Sequence, residues 1–154
     1  MHIEIERKFL VKNDGWRGLA TGQSYRQGYL CTDAGRTVRV RAAEDKAFLT
    51  IKGFNDRGAA PEFQYSIPLA DAHYLLENMA MKPLIEKKRH KIPFKGLIWE
   101  VDEFFGDNSG LVLAEVELSS TGQKIIKPAW AGEEVTGDPR YYNASLVTKP
   151  YKDW

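Results

Sequence analysis

The feature that most restricts this chain is a set of short segments in which apolar and charged residues alternate, each gathering mainly one sign of charge on one face. Alternation with a period of two belongs to β-strands, whose successive side chains point to opposite faces. In the first such segment Glu4, Glu6 and Lys8 share one face, and Ile3, Ile5, Arg7 and Phe9 the other. Thr37, Arg39 and Arg41 oppose Val38 and Val40; Phe48, Thr50 and Lys52 oppose Leu49 and Ile51. Lys87 pairs with Arg89, Glu100 with Asp102, and Glu115 with Glu117 in the same way. Like charges two residues apart on a strand sit roughly 7 Å from each other. At an effective dielectric near 20 they repel by about 2 kcal/mol. For any one strand the default is a half-buried sheet with its charged face in water. A solvated sheet face normally mixes signs, however, and here acidic pairs occupy three strands and basic pairs two.

Read in order, the strand-like segments are Met1–Leu10, Gln23–Cys31 (interrupted by Gly28), Arg36–Arg41, Ala47–Lys52, Glu62–Pro68, Leu84–Phe94, Leu97–Phe105 and Leu111–Ser119. Asn13-Asp14-Gly15 is a turn or cap signal before a short helix at Trp16–Ala20, and Asp33-Ala34-Gly35 is a turn. Ala70–Met81 breaks the pattern, with Leu75, Leu76, Met79 and Ala80 on one stripe, and predicts a helix ending near Lys82-Pro83. Beyond Thr121 the pattern weakens to a short helical piece at Pro128–Trp130 and an amphipathic turn or two at Arg140–Val147. About eight sequential antiparallel strands favour a closed barrel, which leaves no exposed edges. The expectation is therefore a mainly β, α+β domain over residues 1–154: an eight-stranded antiparallel barrel with a few peripheral helices.

Composition narrows the partners. With 43% hydrophobic and 28% charged residues and a net charge of +1, the overall field favours neither nucleic acid nor membrane. Cys31 stands alone, so neither a disulfide framework nor a cysteine-rich zinc site is available. His2, His73 and His90 lack ligand-like spacing, and Trp16, Trp99, Trp130 and Trp154 are expected to pack. No apolar run approaches the roughly 18 residues that span a bilayer. The N-terminus opens directly on a strand without a signal-like pattern. The expected address is the reducing cytoplasm.

If the charged faces look into the barrel, its carboxylates offer the hard oxygen ligands that suit Mg²⁺ or Mn²⁺. Its Arg and Lys residues suit phosphate oxygens. Together they describe a cavity for a metal-bound polyanion, with the apolar faces covered outside by the helix, the tail or a second copy in a homodimer.

The same residues carry a resemblance. Glu4-Ile5-Glu6-Arg7-Lys8 fits the ExExK signature of the CYTH superfamily, the triphosphate tunnel metalloenzymes. The similarity continues through Arg26-Gln27-Gly28-Tyr29-Leu30, the pair Arg39 and Arg41, Lys52, Glu86-Lys87-Lys88-Arg89, Trp99-Glu100-Val101-Asp102, Leu113–Glu117 and Arg140-Tyr141-Tyr142-Asn143. It implies that Lys8, Arg39, Arg41, Lys52, Lys87 and Arg89 hold a triphosphate. It also implies that Glu4, Glu6, Asp102, Glu115 and Glu117 hold metal, with Glu62 and Glu100 as weaker candidates. On the fifth strand the chain departs from the family, with Ala60 and Gln64 where members often carry Arg and Glu.

The implied activity is divalent-metal-dependent hydrolysis of a triphosphate anhydride, most simply inorganic tripolyphosphate. Alternatives are a class IV-like adenylate cyclase, a nucleoside or thiamine triphosphatase, and a non-enzymatic polyphosphate- or nucleotide-binding barrel. Lys87 is the candidate general base if neighbouring cations lower its pKa; paired with carboxylates it would stay charged and only bind phosphate. Tyr29 is either its catalytic neighbour or a structural tyrosine.

Overall fold

The computed structural model describes residues 1–33 and 35–154, so of the expected turn at Asp33-Ala34-Gly35 the central Ala34 lies outside the described residues. Eight strands follow the alternating segments: β1 (His2–Val11), β2 (Gly22–Cys31), β3 (Arg36–Ala42), β4 (Ala47–Gly53), β5 (Ala59–Ile67), β6 (Ile85–Phe94), β7 (Leu97–Phe104) and β8 (Val112–Glu117). They pair antiparallel in the order β5-β4-β3-β2-β6-β7-β8-β1, and β1 meets β5 to close the ring. The expected barrel is formed.

Register sets every charged row on the inside. Lys8 lies opposite Glu115 and Glu6 opposite Glu117; Glu100 also faces Glu115; Arg89 faces Asp102; Tyr25 faces Lys87; Arg39 faces Thr50; and Lys52 faces Glu62. Because the side-chain period is two, one matched pair fixes the whole strand.

The apolar outer faces are covered by two layers. The helix α1 (Leu69–Asn78) lays Ala72 and Leu76, followed by Ala80, over Val40 and Ala42. It ends earlier than its stripe predicts, and Lys82 Nζ donates to the Leu76 carbonyl. Gly28 does not interrupt β2. It lets the strand pass beneath α1, where a Cβ would meet Ala80 Cβ and Leu84 Cδ2 at 2.8 Å. On the opposite flank Phe9, Trp99, Val101, Ala114 and Val116 are buried under Trp16 and Trp130. Trp16 arrives on a 3₁₀ turn, Asp14–Trp16, capped by Asn13 Oδ1 accepting from Gly15 N at 2.9 Å. Trp154 is the exception among the tryptophans, 43% exposed and set edge-on to Tyr141 and Tyr151. On the outside of β4 and β5, Ile51, Phe63 and Tyr65 remain exposed.

The tail departs most from expectation. Instead of a helical piece at Pro128–Trp130, the chain adds a ninth strand, β9 (Ala131–Glu134), along β1. The first half of β1 pairs with β5 and its last residues with β9, so one strand edge serves two partners. At the changeover Glu6 N donates to Gly58 O at 2.9 Å. Gly58 has φ +91°, and a Cβ there would meet Glu6 O at 2.3 Å. After β9, a 3₁₀ turn at Pro139–Tyr141 leads to α2 (Asn143–Thr148). Tyr141, Leu146 and Val147 pack against Tyr29, Ile85, Phe104 and Leu113, filling one end of the barrel with an apolar plug.

Candidate active site

Between the plug and the open end lies a cavity of about 760 Å³ lined by both kinds of charge. Its acidic side comes from β1, β5, β7 and β8, with Glu4, Glu6, Glu62, Glu100, Glu115 and Glu117. Its cations come from β1, β3, β4 and β6, with Lys8, Arg39, Arg41, Lys52, Lys87 and Arg89. Twelve of the thirteen charged residues expected from the sequence, all but Asp102, line this cavity. Tyr29 lines it too, at the inner end, packed with Ile85 and Phe104.

Asp102 stands in the wall behind them. It is 1% exposed, and its two oxygens accept from Arg89 Nε (2.7 Å), Arg89 Nη2 (2.8 Å) and Lys87 Nζ (2.8 Å). Burial alone would raise this carboxyl, but Arg89 and Lys87 outweigh it and hold it down to about 2. Lys87 is 3% exposed. Burial lowers its pKa, Asp102 pulls it back up, and Arg89 and Arg41 push it down again, leaving it at about 7. At Arg89 burial is overcome by Asp102, so the guanidinium stays firmly charged.

Arg39 and Arg41 have no carboxylate partner among the described residues. Arg39 Nη2 donates to Thr50 Oγ1 at 3.1 Å while its Nε is buried and unpartnered. Arg41 Nε donates to Gln27 Oε1 at 2.9 Å, and its guanidinium lies 4.7 Å from the Tyr25 ring centroid. Burial lowers the pKa of Arg41, and Arg39 and Arg89 lower it further. Both guanidiniums thus carry their charge against neutral partners.

Across the cavity the acids are crowded. Burial raises Glu4 despite Lys52, whose Nζ lies 2.5 Å from Glu4 Oε1 and 4.0 Å from Glu62 Oε2. Burial raises Glu6 well above the carboxylate range, and Glu115 and Glu4 add to the shift. Glu115 itself is held low, because Lys8 (3.4 Å) and Arg89 (3.9 Å) outweigh its burial. Glu100 lies 3.2 Å from Arg89 Nη1. Glu117 sits exposed at the rim, 3.5 Å from His2 Nε2. Among the described residues no three Asp, Glu, His or Cys side chains form a finished cation cage. The donor set nevertheless suits a hard divalent cation: it is all-oxygen, and burial, with like-charged neighbours adding to it, raises the pKa of Glu4 and Glu6, a shift that a bound cation would oppose.

Two site residues stand in segments that carry the resemblance but had no role expected of them. Gln27, fully buried on β2, donates through Nε2 to Asn143 Oδ1 at 3.1 Å. Asn143, the first residue of α2, accepts from Lys87 Nζ at 2.9 Å. Alternation places Gln27 on the inner face with Tyr25, and that signal was available; nothing local in the tail points Asn143 at Lys87.

Known proteins are similar to this chain in sequence and in fold. An inorganic triphosphatase from Acetivibrio thermocellus is 50% identical over 154 residues, covering 100% of this chain and 99% of its own. One from Nitrosomonas europaea is 37% identical over 150 residues, with 94% and 96% coverage. A solved inorganic triphosphatase structure superposes with a TM-score of 0.68 at 36% identity, covering 96% of this chain and 95% of its own. The CYTH domain matches residues 2–151, and with the closed barrel and its two-signed tunnel this chain belongs to the CYTH family.

Proposed function

We propose that the protein, as one tunnel domain over residues 1–154, is a divalent-metal-dependent inorganic triphosphatase that hydrolyses tripolyphosphate inside the barrel. The observation that carries this reading is the pair Arg39 and Arg41, half-buried, without a carboxylate partner among the described residues, and facing a carboxylate cluster across one cavity. Their guanidinium forks match phosphate oxygens, and Lys8, Lys52 and Arg89 add charge along the same path. Triphosphatases of this family depend on metal in general. Glu4, Glu6, Glu115 and Glu117, with Glu62 and Glu100 at the margins, would hold it as Mg²⁺ or Mn²⁺. When bound, it neutralises charge on phosphate oxygens and acidifies water.

The chain's own residues hold the triphosphate in line, so catalysis is largely positioning and electrostatics. Lys87 takes the proton of the attacking water, and its pKa of about 7 keeps a large neutral fraction near physiological pH. Asp102, with both oxygens already engaged, anchors Lys87 and Arg89 in place of the metal-ligand role that the resemblance implies. Tyr29 borders the inner end of the path as a wall of the plug. The unpaired Cys31 suits a reducing cytoplasm, and a homodimer would bury Ile51, Phe63 and Tyr65, which sedimentation can read.

The test is phosphate release from tripolyphosphate, ATP and thiamine triphosphate, with and without Mg²⁺ or Mn²⁺. Metal-dependent release with preference for tripolyphosphate is expected. Equal or better turnover of ATP, or cyclic AMP as product, would replace the inorganic substrate, and no turnover of any would leave a binding barrel.

A further inference from the structure

A chain of forced hydrogen-bond directions runs from the phosphate-facing Arg41 to Lys87. Arginine only donates, so Gln27 must present Oε1 to Arg41 Nε (2.9 Å). That turns the Gln27 amide nitrogen toward Asn143, 3.1 Å away, and obliges Asn143 to present Oδ1. The same oxygen then accepts from Lys87 Nζ at 2.9 Å. On its other side Lys87 meets the ionised Asp102 at 2.8 Å, which also only accepts. Two of the three free positions on the lysine nitrogen are therefore committed as N–H donors. One remains, on a side chain that lines the cavity.

We propose that Asn143 is a positioning residue. Its amide oxygen, together with Asp102, fixes the rotation of the Lys87 amine so that the third position, an N–H when charged and a lone pair when neutral, faces the tunnel. Without Asn143 the amine can turn about Cε–Nζ and offer that position elsewhere. The catalytic consequence rests on Lys87 acting as the base, as proposed above; the orientation itself does not. Because Asn143 opens α2, whose Leu146 and Val147 belong to the plug, seating the tail and aiming the amine are one event.

Asn143→Leu keeps the branched shape, at a larger volume, and removes the acceptor. In the full chain it is expected to lower kcat for tripolyphosphate about 100-fold, the size of a small misplacement of a reacting group, with KM nearly unchanged. Asn143→Asp keeps an acceptor and should recover most of that loss, with its optimum moved to higher pH because a second carboxylate favours the ammonium. Should the leucine variant fail to fold, Asn143→Ala takes its place, since alanine is well tolerated in a helix. Near-normal kcat in the folded leucine or alanine variant, or a loss seen only in KM, overturns the proposal. A second readout needs no substrate: ¹⁵N NMR of the lysine ammonium groups, with Lys87 identified by its absence in Lys87→Arg. Faster proton exchange at Lys87 Nζ is expected in Asn143→Leu, and an unchanged signal overturns the proposal. Faster exchange in a protein inert toward every triphosphate overturns the functional reading and leaves the positioning role standing.

Discussion

Along β1 and β8 the tunnel wall places Glu4, Glu6, Glu115 and Glu117 close together and meets part of their charge with Lys8 and Lys52. Along β3 the opposite wall offers Arg39 and Arg41 only neutral partners, Thr50 and Gln27. The first wall carries spare negative charge that a cation would relieve; the second carries spare positive charge that a polyanion would relieve. Neither wall could satisfy the other directly, because strand register holds them across the cavity. A metal-bound triphosphate complements both at once, which is why the two walls make one site.

The sharpest way to break this division is on the acidic wall. Glu4→Gln and Glu117→Gln should each lower metal-dependent turnover by about 10³-fold with an unchanged far-UV spectrum; full activity in either removes that residue from the metal set. On the basic wall Arg41→Ala should cost about 100-fold in kcat/KM, carried mainly by KM, and Arg39→Lys should cost less because charge survives while the fork is lost. Lys87 sits between the walls, and kcat/KM should rise with pH through about 7 as its amine becomes neutral. Lys87→Arg should abolish that rise; a profile that keeps it would move the base elsewhere.

The smallest effect concerns stability. Glu6 has a folded pKa well above the ordinary carboxylate value, so between the two values the native state binds more protons than the unfolded chain. Stability of the metal-free protein should therefore fall as pH rises across that window. Glu6→Gln should flatten the fall and raise Tm at neutral pH by a few degrees, while eliminating metal-dependent turnover. Asp102 contributes in the opposite sense: its stabilisation is present above about 4 and lost as pH falls toward 2. Thermal melts against pH with chelator present, for wild type and Glu6→Gln, separate the two.

Strand parity carried most of the site. Once Glu4, Arg39, Lys87 and Glu115 are placed on alternating faces, closure of the ring decides that those faces look inward. Parity says nothing of depth along the tunnel, and so it grouped Asp102 with Glu100. In the fold Glu100 reaches the cavity while Asp102 lies against Lys87 and Arg89 in the wall behind it. It also says nothing of segments that pair only because an edge is free. Ala131-Gly132-Glu133-Glu134 has no β-branched residue and no clear alternation, yet it becomes β9 because β5 leaves the later half of β1 unpaired. The role of Asn143, which the resemblance included without one, was hidden for a related reason, since its partner Lys87 is 56 residues away and the link exists only when the tail docks.

The two-partner edge of β1 has a consequence for the birth of the molecule. Residues 2–11 find their neighbours in residues 59–62, 113–117 and 131–134. One stretch of one edge thus finds β5 within 60 residues, while the other edge and the last residues of β1 wait for β8 and β9, more than 100 residues away, and such distant pairings are slow to form. A chain cut before β8 would leave one edge of β1 unpaired and Phe9 without its cover of Trp99 and Trp130, a sticky ribbon that only the last third of the sequence can close.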